Sequence, residues 1–250
     1  MKFSIITAVY NRVETIDRAI KSVQSQTYED IEHIIIDGLS SDGSYQVAKN
    51  LILEKDVLIS EKDYGIYDAL NKGVIVSTGD IIGFLHSDDI YAKNNIIQRV
   101  ASFFSDPDVG FVYGDASFFH PNAIDENVRT YRSGEFSKRR LSSGWMPAHP
   151  AFFMRKSIYK KYGLFKTNFR IAGDFEFFCR IMTDQNIPTG KYLSEVLVKM
   201  QTGGASAFGF RSTWLLNAEV LRACRDNNIP TNLMKILSKY PKKLLELFFL

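Results

Sequence analysis

Two adjacent carboxylates, Asp88 and Asp89, follow the apolar run Ile81-Ile82-Gly83-Phe84-Leu85 and the polar pair His86-Ser87. That order puts both acids at the C-terminal end of a buried strand, where the crevice of an open α/β sheet receives its ligands. Neighbouring carboxylates repel each other unless a cation lies between them. Oxygen donors with no His/Cys cluster beside them suit Mg2+ or Mn2+, which complete their coordination with water and phosphate. The implied chemistry is the handling of a metal-bound diphosphate.

Other early strands end in polar residues that can converge on the same crevice: Thr7 to Asn11, Asp37, and Glu61 to Asp68. Any one of these alone is weak, because a strand-end Asp is commonly a cap or turn residue, as Asp42 reads best. Asp37 is suited to accept hydrogen bonds from the N–H of a pyrimidine or purine base. Lys72, beside Asn71, offers a point charge for a phosphate, although an exposed helical Lys is ordinarily just solvated. Neither GxGxxG nor GxxxxGK[ST] occurs, so a dinucleotide fingerprint and a P-loop are both unsupported.

The elements that must position these groups read as α/β. Strand-like runs alternate with helical periods as far as residue 113, the pattern of a mostly parallel central sheet flanked by helices. Strands are expected at Phe3 to Ala8, Ile31 to Ile36, Val57 to Ser60, Ile81 to Leu85 and Val109 to Tyr113. The third helix, Ile66 to Ser77, is expected to bury Ile66, Leu70 and Val74. Beyond Gly114 the rhythm changes to a hairpin and a long loop reaching Pro150. Helices follow at Arg155 to Tyr162 and Asp174 to Thr183, then a strand at Tyr192 to Met200 and a helix at Phe210 to Asn227. No repeat or interdomain linker interrupts the chain.

With 250 residues and 45% apolar content, one domain with a full core is expected. Cys179 and Cys224 lack CxxC spacing and read as core thiols in a reducing compartment. The first residues have no signal-peptide layout, so the expected location is the cytoplasm. A net charge of +3, without RRM, KH or zinc-finger patterns, gives no support for nucleic acid as a partner. Residues 231–250 form a basic amphipathic tail carrying Lys235, Lys239, Lys242 and Lys243. It is too short and charged to span a bilayer; it either lies on an anionic membrane surface or docks on the body or another subunit.

Three stretches carry a family resemblance: Ile5-Ile6-Thr7-Ala8-Val9-Tyr10-Asn11, Ile35-Ile36-Asp37-Gly38-Leu39-Ser40-Ser41-Asp42-Gly43, and Ser60-Glu61-Lys62-Asp63-Tyr64-Gly65-Ile66-Tyr67-Asp68-Ala69-Leu70-Asn71-Lys72-Gly73. With Ser87-Asp88-Asp89, which resembles a DXD-type metal motif, they are similar to the N-terminal motifs of family-two glycosyltransferases of GT-A fold. The nearest likeness is to bacterial members that build capsular, exopolysaccharide or O-antigen chains. The match covers roughly the first 115 residues.

The resemblance implies a GT-A domain over 1–230, with a nucleotide-sugar half (1–115) and an acceptor half (116–230). It implies that Thr7, Ala8, Tyr10, Asn11 and Glu14 line the nucleoside pocket. Asp37 would meet the base, and Asp63, Asp68 and Lys72 would sit along the donor. Ser87 and Asp88 would hold the ribose side, with Asp88 and Asp89 on Mg2+ or Mn2+. His86 stands where many relatives have Asp or Asn, and a packing or hydrogen-bonding role suits it better than ligation of a hard cation.

In the second half, Ala148-His149-Pro150-Ala151-Phe152-Phe153-Met154-Arg155 and Ile171-Ala172-Gly173-Asp174-Phe175-Glu176 resemble acceptor-side segments. Asp174 would be the catalytic base, a role compatible with a helix N-cap; Glu176 points elsewhere on the helix. His149 would contact acceptor or donor phosphate, or be a partly buried ring bonded to backbone. Trp145 would stack on a sugar. Lys138, Arg139 and Arg140 would face an acceptor diphosphate, the membrane or plain solvent, and Gly203 to Ser206 would cover the donor or simply turn. The implied reaction transfers a sugar, with inversion, from a nucleoside diphosphate, most commonly UDP, to a hydroxyl of a glycan or lipid-linked acceptor in surface polysaccharide synthesis.

Two other readings stay open: a sugar-phosphate nucleotidyltransferase, whose Gly/Arg/Lys-rich first loop is missing here, and a noncatalytic binding subunit of the same fold. A glycoside hydrolase does not fit, since adjacent Asp88 and Asp89 cannot flank a bond.

Overall fold

The computed structural model describes residues 1–186, 189–203 and 209–238, with backbone only at 209 and 210. Its first half winds β1 (Phe3–Val9), α1 (Ile16–Gln24), β2 (Ile31–Asp37), α2 (Ser44–Leu51), β3 (Val57–Ser60), α3 (Ile66–Val76) and β4 (Ile81–Phe84). The four strands are parallel, in the spatial order β3-β2-β1-β4. β2 is buried at every position, as its run of apolar residues requires of a strand covered on both faces. Alternation then sorts its isoleucines: Ile34 and Ile36 pack with Leu70 and Val74 of α3, whereas Ile35 packs with Ile16, Ile20 and Ala48 of α1 and α2.

The chain leaves β1 for β2 and β3 on one side and returns to β4 on the other. The sheet's direction of winding therefore reverses between β1 and β4, and a ligand crevice opens outside their C-terminal ends. Residues 9–13 and 85–89 lie at that edge.

The second half extends the same sheet with β5 (Ile90–Tyr91), β6 (Val109–Phe119), β7 (Arg129–Tyr131), β8 (Phe152–Arg155) and β9 (Thr189–Gln201). Its helices are α4 (Ile96–Phe103), α5 (Lys138–Leu141), α6 (Lys156–Tyr162), α7 (Gly173–Met182), α8 (Gly209–Asp226) and α9 (Leu233–Leu237). β8 runs antiparallel to β4, pairing Phe153 with Gly83. The one-turn 3-10 helix His149–Ala151, which enters β8, is thereby delivered to the C-terminal end of β4.

The sheet is α/β as expected, but mixed: β4–β8, β6–β8, β6–β7 and β5–β9 all pair antiparallel. β6 runs on to Phe119 and forms the anticipated hairpin with β7, while β8 fills the gap between the expected loop, which ends at Pro150, and the expected helix, whose first residue, Arg155, belongs to the strand. On α3, Tyr67 takes the buried face and Ile66 stays 41% exposed, a correction to the expected stripe. Both cysteines are free and buried. In the tail, α9 seats Ile236 fully in the core beside α8 and leaves Leu233 and Met234 exposed. Residues 239–250, and 204–206 of the glycine-rich turn, lie outside the described residues. Among the described residues no helix is long and apolar enough to cross a membrane.

Candidate active site

The loops after β1 and β2 are stitched together through side chains. Asn11 receives the Ser41 N–H on Oδ1 (2.9 Å) and gives its own N–H to the Ser40 hydroxyl (2.9 Å). Arg12 N–H donates to Ser44 Oγ (2.7 Å) and Val13 N–H to Asp42 Oδ2 (3.0 Å), so Asp42 is the turn residue it was expected to be. Asn11 and Leu39 both adopt left-handed backbone (φ 51° and 60°), a conformation unusual away from glycine that concentrates at functional loops.

Asp37 ends β2 fully buried, accepting the Ser60 hydroxyl at 2.6 Å and the Ser40 N–H. Beside it, Gly38 has room for no Cβ: one would overlap the Asp63 carboxylate and come within 3.4 Å of the Tyr10 ring. Tyr10, Asp37, Gly38 and Asp63 thus meet around one point, with the Tyr10 ring 61% exposed over it.

The remaining donor-side expectations divide. Asp63 accepts the Gly65 N–H at 3.0 Å, and Asp68 the Tyr64 N–H at 3.0 Å. Lys72 lies 3.0 Å from Glu61 and 3.5 Å from Asp68 and also donates to the Lys62 carbonyl, so its charge already holds the 61–68 turn. Thr7 faces the interior, donating to the Leu85 carbonyl at 2.7 Å and lying 2.9 Å from the His33 ring nitrogen. It ties β1 to β4 rather than lining an open pocket. Ala8 packs partly buried against the core, and Glu14 is exposed.

The acidic loop separates its two carboxylates. Asp88 is partly exposed, and its side chain accepts no hydrogen bond among the described residues. Asp89 is sealed at 2% exposure: Oδ1 takes the Gln201 N–H at 3.1 Å, and Oδ2 is buried without a partner. Burial, and then the charge of Asp88, pushes the Asp89 carboxyl well above the usual carboxylate range. Arg18 secures the loop from α1, donating to the Asp88 carbonyl at 3.2 Å and to the Gln201 side chain. Ser87 is buried.

His86 bridges this loop to the second half. Its ring lies 5.7 Å from that of His149, which stacks on Phe84 at 4.7 Å. Burial lowers both histidines, His149 to about 3 with a smaller contribution from His86, so both rings are neutral at neutral pH. His149 Nε2 is buried and unpartnered, against the expectation of a backbone bond.

Asp174, the second residue of α7, shares a recess of about 10 Å³ with His149, among Met146, Phe165 and Phe177. It is not the N-cap, which is Ala172. Its Oδ1 accepts from the Tyr67 hydroxyl (3.0 Å) and the Phe175 N–H (2.8 Å). Oδ2 accepts nothing among the described residues and is left for other work. Desolvation raises its pKa to about 6, with Glu219 adding to the rise and the two hydrogen bonds opposing it. Glu176 points away, fully buried between Lys166 (2.7 Å) and Arg180 (3.0 Å).

Trp145 is occupied. Phe136 stacks against it at 6.1 Å, the Arg140 guanidinium lies 3.8 Å over its ring, and Phe178 meets it edge-on. These contacts compete with the expected sugar stacking. Lys138 and Arg139 share the short α5 with Arg140.

Comparison with known proteins decides the class. The family model for glycosyl transferase family 2 matches residues 4–163. An uncharacterized glycosyltransferase of Mycobacterium tuberculosis is 32% identical over 180 residues, 71% of this chain and 67% of that protein. The chain belongs to glycosyl transferase family 2. A PGL/p-HBAD biosynthesis glycosyltransferase of Mycobacterium bovis is 27% identical over 224 residues, covering 88% of this chain and 82% of its own. The GT-A fold appears in S. aureus TarS 1-349 in complex with UDP-GlcNAc (TM-score 0.66, 17% identity, 88% of this chain). It also appears in a Pyrobaculum calidifontis mannosyltransferase in complex with GDP-Man and Mn2+ (TM-score 0.64, 16% identity, 88% of this chain). The chain spans 67% of the former structure and 64% of the latter.

A divalent cation would find oxygen donors at the end of β4 in this family 2 glycosyltransferase. The accessible donor is a hard oxygen, the unbonded Asp88 carboxylate; Asp89 Oδ2 also lacks a partner but is sealed from solvent. Among the described residues no group of three or more His, Cys, Asp or Glu side chains is assembled. A cation here would draw most of its ligands from phosphate and water, as Mg2+ and Mn2+ commonly do.

Several participants escaped sequence reasoning: Tyr67, Asn71, Arg18, Gln201 and Glu219. Tyr67 and Asn71 left one trace, polar groups spaced i, i+4 on the face of α3 that packs inward.

Proposed function

We propose that the chain transfers a sugar, with inversion at the anomeric carbon, from a nucleoside diphosphate to a hydroxyl of a glycan or lipid-linked acceptor in surface polysaccharide synthesis. The observation that carries this reading is the shared recess. Asp174 and His149 line it together, and His149 stacks on Phe84 beside His86, two residues before Asp88. The proposed base is thereby linked to the acidic loop through the neighbouring rings of His149 and His86. The recess itself has room for one water at most, so the reacting groups would meet at its mouth.

Each residue has a defined part. Tyr10 would offer its exposed face to the base and Asp37 its buried carboxylate; UDP is the donor we favour, as in the UDP-GlcNAc-bound neighbour. Asp88 would hold the cation, with Asp89 positioning the loop through the Gln201 N–H and Arg18 through the Asp88 carbonyl. The cation supplies Lewis-acid stabilisation of the diphosphate leaving group. Asp174 Oδ2 takes the acceptor hydroxyl's proton as that oxygen attacks, and a carboxyl held near 6 is a stronger base than an ordinary one while still charged at pH 7. The neutral rings of His86 and His149 keep the wall between base and phosphate apolar and free of competing charge. Peripheral membrane contact through residues 231–250 belongs to the same proposal: the exposed Leu233 and Met234 continue toward four tail lysines.

The test is incubation with a panel of UDP-, GDP- and dTDP-sugars, with and without Mn2+. Metal-dependent release of nucleoside diphosphate supports the reading. Release of pyrophosphate from a nucleoside triphosphate, with no turnover of any nucleotide sugar, would overturn it.

A further inference from the structure

Tyr67 brings its hydroxyl from α3 to two acceptors on the segment that starts α7: the Ile171 carbonyl at 2.6 Å and Asp174 Oδ1 at 3.0 Å. A phenol has one proton and can give it fully to one acceptor at a time. Both acceptors are fixed independently of Tyr67. Glu219, reaching from α8, collects the N–H groups of Arg170 (2.8 Å), Ile171 (2.9 Å) and Ala172 (2.9 Å), which sets the loop carrying the Ile171 carbonyl. Phe175 N–H holds Asp174 Oδ1 from within the helix.

The ring itself is 5% exposed and lies against Gly173, where any Cβ would stand 2.8 Å from its carbons. Glycine at that position is what lets the hydroxyl reach both oxygens. One residue from the donor-side turn is thus built into the acceptor-side base.

We propose that Tyr67 is a positioning residue for Asp174, a hydroxyl rotor that donates to Oδ1 while the base is charged and turns to the Ile171 carbonyl once the base has taken its proton. This rests on the reading of Asp174 as the base. In the charged state Tyr67 and Phe175 together occupy Oδ1, which directs proton uptake to Oδ2. In the protonated state the hydroxyl loses a strong acceptor and finds another already in reach, so no buried donor is stranded. The other groups facing Asp174 do not mimic this. Glu219 repels its charge, His149 is neutral throughout the relevant range, and burial keeps Tyr159 protonated.

The test is carboxyl and carbonyl 13C NMR of the whole protein as a function of pH. The Asp174 resonance is assigned by its loss in Asp174→Asn. Tyr67→Phe, which keeps the ring, is expected to raise the Asp174 midpoint by about one pH unit through loss of the donor to the charged form. In the wild type the Ile171 carbonyl shift should titrate with the Asp174 midpoint, and in Tyr67→Phe it should stop doing so. An unmoved Asp174 midpoint, or an Ile171 signal that does not follow it in the wild type, overturns the rotor. If Tyr67→Phe does not fold, Gly173→Ala, which displaces the ring, is read by the same upward shift. Retained sugar transfer in Asp174→Asn defeats the base reading, and the proposed role with it, whatever the NMR shows. An inactive Asp174→Asn with an unmoved midpoint in Tyr67→Phe defeats the rotor alone.

Discussion

Asn71 exchanges two hydrogen bonds with the backbone of Phe165: its amide donates to the carbonyl at 2.9 Å and its side-chain oxygen accepts the N–H at 2.9 Å. All of these atoms are buried, and they lie one helical turn beyond Tyr67 on the same face of α3. Helix α3 therefore grips the segment leading to α7 at two points, Phe165 through Asn71 and Ile171 through Tyr67. The half of the protein proposed to hold the donor fixes the position of the proposed base.

Asn71→Leu strands a buried N–H and a buried C=O and should destabilise the fold by roughly 2–4 kcal/mol. Asn71→Asp, which keeps an acceptor for the Phe165 N–H, should lose less unless its charge is retained in the buried site. Urea unfolding checks both; an unchanged midpoint in Asn71→Leu would mean that the exchange contributes nothing net.

Asp174 makes stability depend on pH in an unusual direction. Its folded-state pKa of about 6 exceeds the ordinary 3.8. The group's contribution is therefore complete below about pH 4 and is lost as pH rises through about 6. Asp174→Asn never charges, and its amide oxygen can still accept from Tyr67 and Phe175. It should be more stable than the wild type at pH 7.5, by up to about 2 kcal/mol after allowance for solvent screening. The gap should close below about pH 4; thermal melts across that range decide.

Glu32 works in the opposite sense. Burial would raise its carboxyl, but Lys2 at 2.6 Å, the Ser4 and Thr78 hydroxyls and the Thr78 N–H outweigh that and hold it at about 2. Its stabilisation is present above its ordinary value of 4.5 and is lost as pH falls toward 2. Glu32→Gln should cost about 2–3 kcal/mol at pH 7 and progressively less under acid. Parallel losses at pH 7 and pH 3 would assign the effect to packing.

The two acids at the end of β4 should respond differently to the same substitution. Asp88→Asn removes an unbonded, partly exposed carboxylate and should abolish Mn2+-dependent donor binding while changing stability by less than about 0.5 kcal/mol. Asp89→Asn keeps an acceptor for the Gln201 N–H and relieves the repulsion between the buried Asp89 carboxylate and Asp88, so stability should hold or rise. Calorimetric titration of nucleotide sugar in Mn2+ separates the roles; selective loss in Asp89→Asn would make Asp89 the ligand.

Much of this was legible in the residue order. The parallel half follows from continuous apolar runs, because strands covered on both faces leave no alternation to misread. Asp37 stood out as a charge at the close of such a run. The antiparallel additions were harder: β5 has two residues and β8 four, too short for periodicity, and their partners are distant in sequence. Asp88 and Asp89 are indistinguishable as letters; only the loop's path turns one outward and seals the other. Trp145 resembled a sugar platform, and its letter gives no sign that Phe136 and Arg140 pack on the ring. Glu219 was invisible because its three backbone partners lie almost fifty residues earlier.

The most direct measurement is the rate of sugar transfer by Asp174→Asn at saturating nucleotide sugar and Mn2+. With an intact fold and unchanged donor affinity, the rate should fall by about 10²–10⁴, the span a general base supplies. Transfer within a few-fold of the wild type would show that another group receives the proton and would contradict the placing of the base at Asp174.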